Sequence, residues 1–170
     1  MMISKSNVPV IASSLWFQGL WFLAVIGREN TQAWLVVASV LTLLFCFVDE
    51  VKKLRLIFAV SVLGILVDHI NWQTGLFTFP SMSFPVWLTL LWGLFGWYAV
   101  QMRSLVNRYP RIFVSLLVGV SGSLSYFAGY RLGAVDWELG VLLTLSILFL
   151  EWFLLGYFVT KLLSSRWGML

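Results

Sequence analysis

"WELGVLLTLSILFLEWFLLGYFVT" runs from Trp137 to Thr160, and its charged side chains are Glu138 and Glu151 alone. It shows no in–out alternation, and it is far longer than the roughly 10 residues of a membrane barrel strand. It matches the ~20 apolar residues that a helix needs to cross the hydrocarbon core. Lipid offers no water to a backbone N–H or C=O, so such a run satisfies itself only as a helix.

Five further apolar segments lie upstream, separated by charged residues or by Pro and Gly. They cover roughly 8–27, 32–48, 54–70, 84–102 and 112–130, with the quoted run, 137–160, as the sixth. The composition agrees: 61% of the 170 residues are hydrophobic and 11% are charged. The mean hydropathy is +0.94. A soluble domain of this size would leave too much of that surface in water, and disorder needs the opposite composition. The ten Trp, five Tyr and 14 Phe suit bilayer interfaces and helix packing. The expectation is an all-α polytopic membrane protein: one domain over residues 1–170, six transmembrane helices in one bundle. No cleavable leader follows the first apolar run, so that run is expected to remain as a span.

The basic residues sort by side. Lys5, Lys52, Lys53, Arg55, Arg103, Arg108, Arg111, Lys161 and Arg166 fall on one face, and only Arg28 and Arg131 on the other. The positive-inside rule then puts both termini in the cytoplasm. The net charge of +4 reads as topology and contact with anionic lipid, not as a nucleic-acid footprint. Asp49 and Glu50 sit among the cytoplasmic lysines as a solvated helix end.

Cys46 is the single cysteine and His69 the single histidine, so neither a disulfide nor a metal-ligand spacing is present. No phosphate-binding or dinucleotide glycine pattern occurs, and no cofactor is expected. The candidate partners are membrane lipids, with any protein or lipid-enzyme partner left unnamed.

Polar residues in apolar spans make two candidate constellations. The first is an outer mouth of Asp68, His69, Asn71, Tyr126, Tyr130, Arg131, Asp136 and Glu138, because the third and fifth spans end on the same side. An acid beside an imidazole suits proton transfer, and an arginine suits a phosphate or carboxylate. Polar residues also collect at helix ends merely to meet water. Asp68 and His69 point about 100° apart on a helix, so the more economical picture has Asp68 inward against Arg131 and His69 at the interface. The second is Glu151 with Gln18. Glu151 lies 13 residues into the sixth span, about 20 Å from its outer end, and a carboxylate there needs a partner or a proton. Gln18 and Arg103 are the expected neighbours, acting as glue between helices or as a proton or substrate path.

"GVSG" at Gly119–Gly122 resembles the serine motif of rhomboid proteases. His69 precedes Ser121 in the chain, against the rhomboid order, and lies roughly 10–14 Å from it along the membrane normal, beyond the reach of a general base. Ser115, Gly119, Gly122 and Ser123 instead read as a small-residue face for close helix packing.

Five blocks, "FQGLWFLAVIG" (17–27), "GILVDHINWQTGLFTF" (64–79), "PVWLTLLWGLFGW" (85–97), "LLVGVSGSLSYFAGYRLGAV" (116–135) and "LEWFLL" (150–155), together resemble a family of small bacterial inner-membrane proteins, the domain of unknown function 2878. The resemblance implies a multi-pass inner-membrane location and transfers no catalytic residue. By genomic association it leans toward membrane fatty-acid modification. Three functions are carried forward: an accessory to membrane-lipid modification or homeostasis with an outward-opening polar and aromatic cavity, a small-solute binding or transport subunit, and an outer-leaflet lipid-processing enzyme using Asp68 or His69 with Arg131.

Overall fold

A computed structural model describes residues 8–47, 51–81 and 83–164. Lys5, Asp49, Glu50 and Arg166 lie outside the described residues. The described chain is helical, in the order α1 (Val8–Gly27), α2 (Gln32–Phe47), α3 (Val51–Gln73), α4 (Val86–Gln101), a single turn α5 (Arg103–Val106), α6 (Arg111–Arg131) and α7 (Val141–Ser164). Four stretches are long and apolar enough to cross a membrane: Val10–Leu44, Lys53–Gln73, Arg111–Arg131 and Val141–Ser164. Val86–Gln101 is apolar but shorter.

The first of these stretches is folded in two. A 3₁₀ turn, Arg28–Thr31, separates α1 from α2, and Arg28 takes φ 48°, a left-handed conformation. The Thr31 hydroxyl reaches back to the carbonyl of Leu23 at 2.7 Å. Trp16 Nε1 donates to Thr42 Oγ1 at 3.0 Å although 26 residues separate them. A continuous helix would hold those residues about 39 Å apart, so α1 and α2 are an antiparallel hairpin.

Sequence and structure agree closely on the first five segments and differ at the sixth. Helix α7 begins at Val141, not Trp137. Gly140 has φ +80°, a conformation that glycine adopts freely and that stops helix growth toward the N-terminus. Residues 136–140 therefore belong to the preceding loop.

That loop pairs with the long connection after α3. The backbones of Thr78 and Asp136 exchange two hydrogen bonds, at 3.0 and 2.9 Å. Phe77, Phe79, Ala134, Val135 and Trp137 are buried beneath the pairing. These loops cap one end of the bundle, where α1, α3 and α6 finish.

Helix α3 packs on α4 and α6 on α7, while α1 and α2 lie against α4. The face between α6 and α7 is built from small residues: Ser115, Gly119, Gly122 and Ser123 are all buried. This is the packing face read from the sequence. Large side chains such as Phe58, Leu15, Trp34 and Leu142 point outward, each at least 70% exposed, as an apolar solvent requires.

Candidate functional site

Two tryptophans join the α3–α4 hairpin to the α6–α7 hairpin. Trp92 of α4 and Trp152 of α7 stack with ring centroids 5.2 Å apart and planes 16° apart. Each ring lies where a neighbouring helix has no side chain. A Cβ on Gly64 of α3 would fall 2.1 Å from the Trp92 ring, and one on Gly122 of α6 would fall 2.1 Å from the Trp152 ring. Phe95 packs edge-on against both rings.

The polar centre of the bundle hangs on this pair. Asp68 of α3 is 2% exposed. Its Oδ2 accepts from Trp92 Nε1 at 2.5 Å and from the Tyr126 hydroxyl at 2.5 Å. Three helices thus meet at one carboxyl oxygen. One turn further toward the cap, Asn71 Nδ2 donates to Glu151 Oε2 at 2.7 Å, tying α3 to α7. A buried polar network of this kind holds helices in a fixed register, because each broken bond leaves an unsatisfied group in a dry interior.

The structure rearranges the sequence-based candidates. Asp68 and Tyr126 do come together. Arg131, expected against Asp68, is exposed at the end of α6, and the donors to Asp68 are Trp92 and Tyr126 instead. Glu151, expected near Gln18 and Arg103, takes its hydrogen bond from Asn71 near the cap end of α3. The later start of α7 explains this: it brings Glu151 about 6 Å nearer the capped end than a span from residue 137 implies. Asp68, Asn71 and Tyr126 of the first constellation thus lie with Glu151 of the second, while Gln18 stands apart in the groove lining. His69 is exposed and lies edge-on to Trp72 and Phe84, both at 5.3 Å. Tyr130 stacks on Trp137 at 4.7 Å. Neither joins Asp68. Asp136 and Glu138 are exposed in the cap loop.

The stacked rings also open a space. Helices α1 and α6 form no substantial interface with each other, and between them runs a cavity of about 860 Å³. Its walls include Phe17 and Trp21 of α1, Trp92 and Phe95 of α4, Gly122 and Tyr126 of α6, and Trp152 and Leu155 of α7. It extends from Phe79 and Val135 under the cap to Leu105 and Leu163 at the opposite end. It is aromatic, as expected, but it is an apolar groove along the helices; His69, Tyr130 and Arg131 do not line it. Gln18 of α1 and Ser121 of α6 are among its few polar lining residues, and the Ser121 hydroxyl donates to the Val118 carbonyl of its own helix at 3.3 Å. Asp68 does not line the groove, but its two hydrogen-bond donors, Trp92 and Tyr126, do.

Sequence reasoning passed over Trp92 and Trp152, two of ten tryptophans. The usable signal was the pair of in-span glycines, Gly64 and Gly122, each leaving room for a large ring on its neighbour.

Residues 10–157 match the sequence profile of a family described as "Protein of unknown function (DUF2878)". No curated protein and no solved structure matches the chain.

Proposed function

Since the chain belongs to the DUF2878 family, whose description assigns no activity, we propose its function from the groove. The protein is a lipid-holding accessory of the bacterial inner membrane that serves membrane-lipid modification or homeostasis. Helices α1, α2, α3, α4, α6 and α7 cross the bilayer, with both termini in the cytoplasm and the loop cap on the outer side, in accord with the distribution of Lys and Arg.

The observation that carries this reading is the cavity of about 860 Å³ between α1 and α6. It falls within the roughly 300–1,000 Å³ of typical ligand sites. It runs along the helices where acyl chains lie, and its lining is overwhelmingly aliphatic and aromatic. A water-soluble metabolite would meet few polar partners there. A hydrocarbon chain would meet a continuous apolar wall, with the Trp92–Trp152 stack as its floor. The Asp68 network maintains that floor without exposing a charge to the chain.

Native mass spectrometry of the protein extracted from its own membrane tests the reading. Wild type is expected to retain a co-purifying lipid. Ser121→Trp, which fills the groove from its α6 wall, is expected to lose it while remaining folded. Equal lipid retention by the filled variant refutes the assignment.

A further inference from the structure

We infer that the groove ends in a headgroup site for an anionic amphiphile, centred on Arg111 at the end of the bundle opposite the cap. The inference rests on the lipid reading of the groove and adds where the polar end of the molecule sits.

A second cavity, about 170 Å³, is lined by Val106, Asn107, Tyr109, Arg111, Thr160 and Ser164. Val106 and Thr160 also line the large groove, so the two spaces abut across a shared wall. One is long and apolar. The other is small, polar and at the helix ends. Together they have the shape of an amphiphile. The smaller space equals about six water volumes, enough for a phosphate or carboxylate and not for a second chain.

Its charge is one-sided. Among the described residues, Arg111 is the charged one in the lining, and no acid lines it. The guanidinium is held in place: Nη2 donates to Ser164 Oγ at 3.1 Å, and Cζ lies 5.4 Å from the centroid of the Tyr157 ring. Guanidinium carries five N–H donors in a fork suited to two-point contact with a phosphate or carboxylate, and the serine takes one. Asn107 and Tyr109 bring further donors beside it, and Arg108 and Lys161 add positive charge at the same end. The capped end is less favourable to an anion. Exposed Glu29, Asp136 and Glu138 outnumber Arg28 and Arg131 there, and Arg28 is engaged with the Gly133 carbonyl. The molecule therefore lies with its headgroup at Arg111 and its chain running toward the cap.

The shared chemistry is an anionic headgroup on an aliphatic chain, met by either a phospholipid or a free fatty acid. The full-length protein is placed in nanodiscs of equal parts phosphatidylglycerol and phosphatidylcholine with identical chains, and retained lipid is read by native mass spectrometry. A parallel arm supplies oleate in phosphatidylcholine nanodiscs. Wild type is expected to retain the anionic species about fivefold over phosphatidylcholine, the effect of one basic residue at a membrane surface. Adducts of phosphatidylglycerol alone identify a phospholipid, and adducts of oleate alone a fatty acid. Arg111→Gln is expected to bring the ratio to parity. Asn107→Asp, at an exposed position, places a negative charge in the same pocket without touching the packed helices and is expected to do likewise. Both variants keep the total lipid retained. Equal retention of anionic and zwitterionic lipid by wild type overturns the headgroup site and leaves the groove reading standing. Absence of any retained lipid overturns both.

Discussion

The stacked rings of Trp92 and Trp152, 5.2 Å apart, are both the joint between two helical hairpins and the floor of the groove. Helices α4 and α7 meet through these rings and not through close backbone approach. Lipid supplies no hydrophobic drive for helix association, so shape fit and hydrogen bonds carry it. Here the fit is a ring in a glycine notch on each side, and the hydrogen bond is Trp92 Nε1 to Asp68.

Gly122→Ala tests the notch. Alanine normally stabilises a helix interior relative to glycine by about 1 kcal/mol. At Gly122 the new methyl would lie 2.1 Å from the Trp152 ring, so the ring must move. The expected net effect is a loss of about 1–3 kcal/mol, read as a lower unfolding midpoint in detergent. Gly64→Ala, against Trp92, behaves the same way. Gly93→Ala, whose Cβ would meet nothing within 4 Å, is expected to be neutral or stabilising. Equal effects at all three positions contradict the notch.

The Asp68 junction predicts a specific order of damage. Asp68→Asn keeps the shape and one acceptor oxygen, and is expected to be mildly destabilising. Asp68→Leu leaves both Trp92 Nε1 and the Tyr126 hydroxyl without their acceptor, each orphaned donor costing about 1–3 kcal/mol. Tyr126→Phe removes one donor and should make Asp68→Leu less harmful. A double-mutant cycle on these two sites is expected to show a coupling of about 1–3 kcal/mol. Additive effects would mean that the contact contributes nothing to stability.

Arg28 joins strain to a tether. Its φ of 48° disfavours any side chain, and its Nη1 donates to the carbonyl of Gly133 at 2.8 Å. That bond links the α1–α2 turn to the α6–α7 loop across the capped end of the groove. Arg28→Ala keeps the strain and loses the tether; Arg28→Gly loses both. The glycine variant is therefore expected to be the more stable of the two by about 1 kcal/mol. Limited proteolysis at the cap orders them, and the reverse order contradicts the strained turn.

Much of this fold is written in the sequence because lipid forces apolar runs to be helices. The break between α1 and α2 follows from Arg28 and Glu29 after Gly27, and the start of α4 falls within two residues of the segment drawn from residue 84. The start of α7 was not legible: Trp137 and Leu139 are apolar, and nothing local announces that Gly140 turns left-handed. That four-residue shift misplaced Glu151 in depth and hid its bond to Asn71. Asp68 and Tyr126 were legible as polar groups in apolar spans. The groove was not, because it arises from helices α1 and α6 failing to pack, a property of no single segment.

Helix α4 gives the sharpest test of the six-span arrangement. It has 16 residues, so it measures about 24 Å, short of a hydrocarbon core of about 30 Å. Its central position removes the difficulty. Trp87, Leu88, Leu91, Trp92, Leu94, Ala99 and Val100 are buried, and only Val86 and Thr89 of the helix are exposed, so most of α4 faces protein and not lipid. Pro85 and the α5 turn continue the chain at either end. If α4 crosses, Ser81 and Asn107 lie on opposite faces of the membrane; both are exposed. In a Cys46→Ser background, Ser81→Cys is expected to react with an impermeant maleimide in intact spheroplasts. Asn107→Cys is expected to react only after lysis. Labelling of both from outside would show that α4 does not cross. The reverse pattern would invert the orientation drawn from the basic residues and move the Arg111 pocket to the outer leaflet.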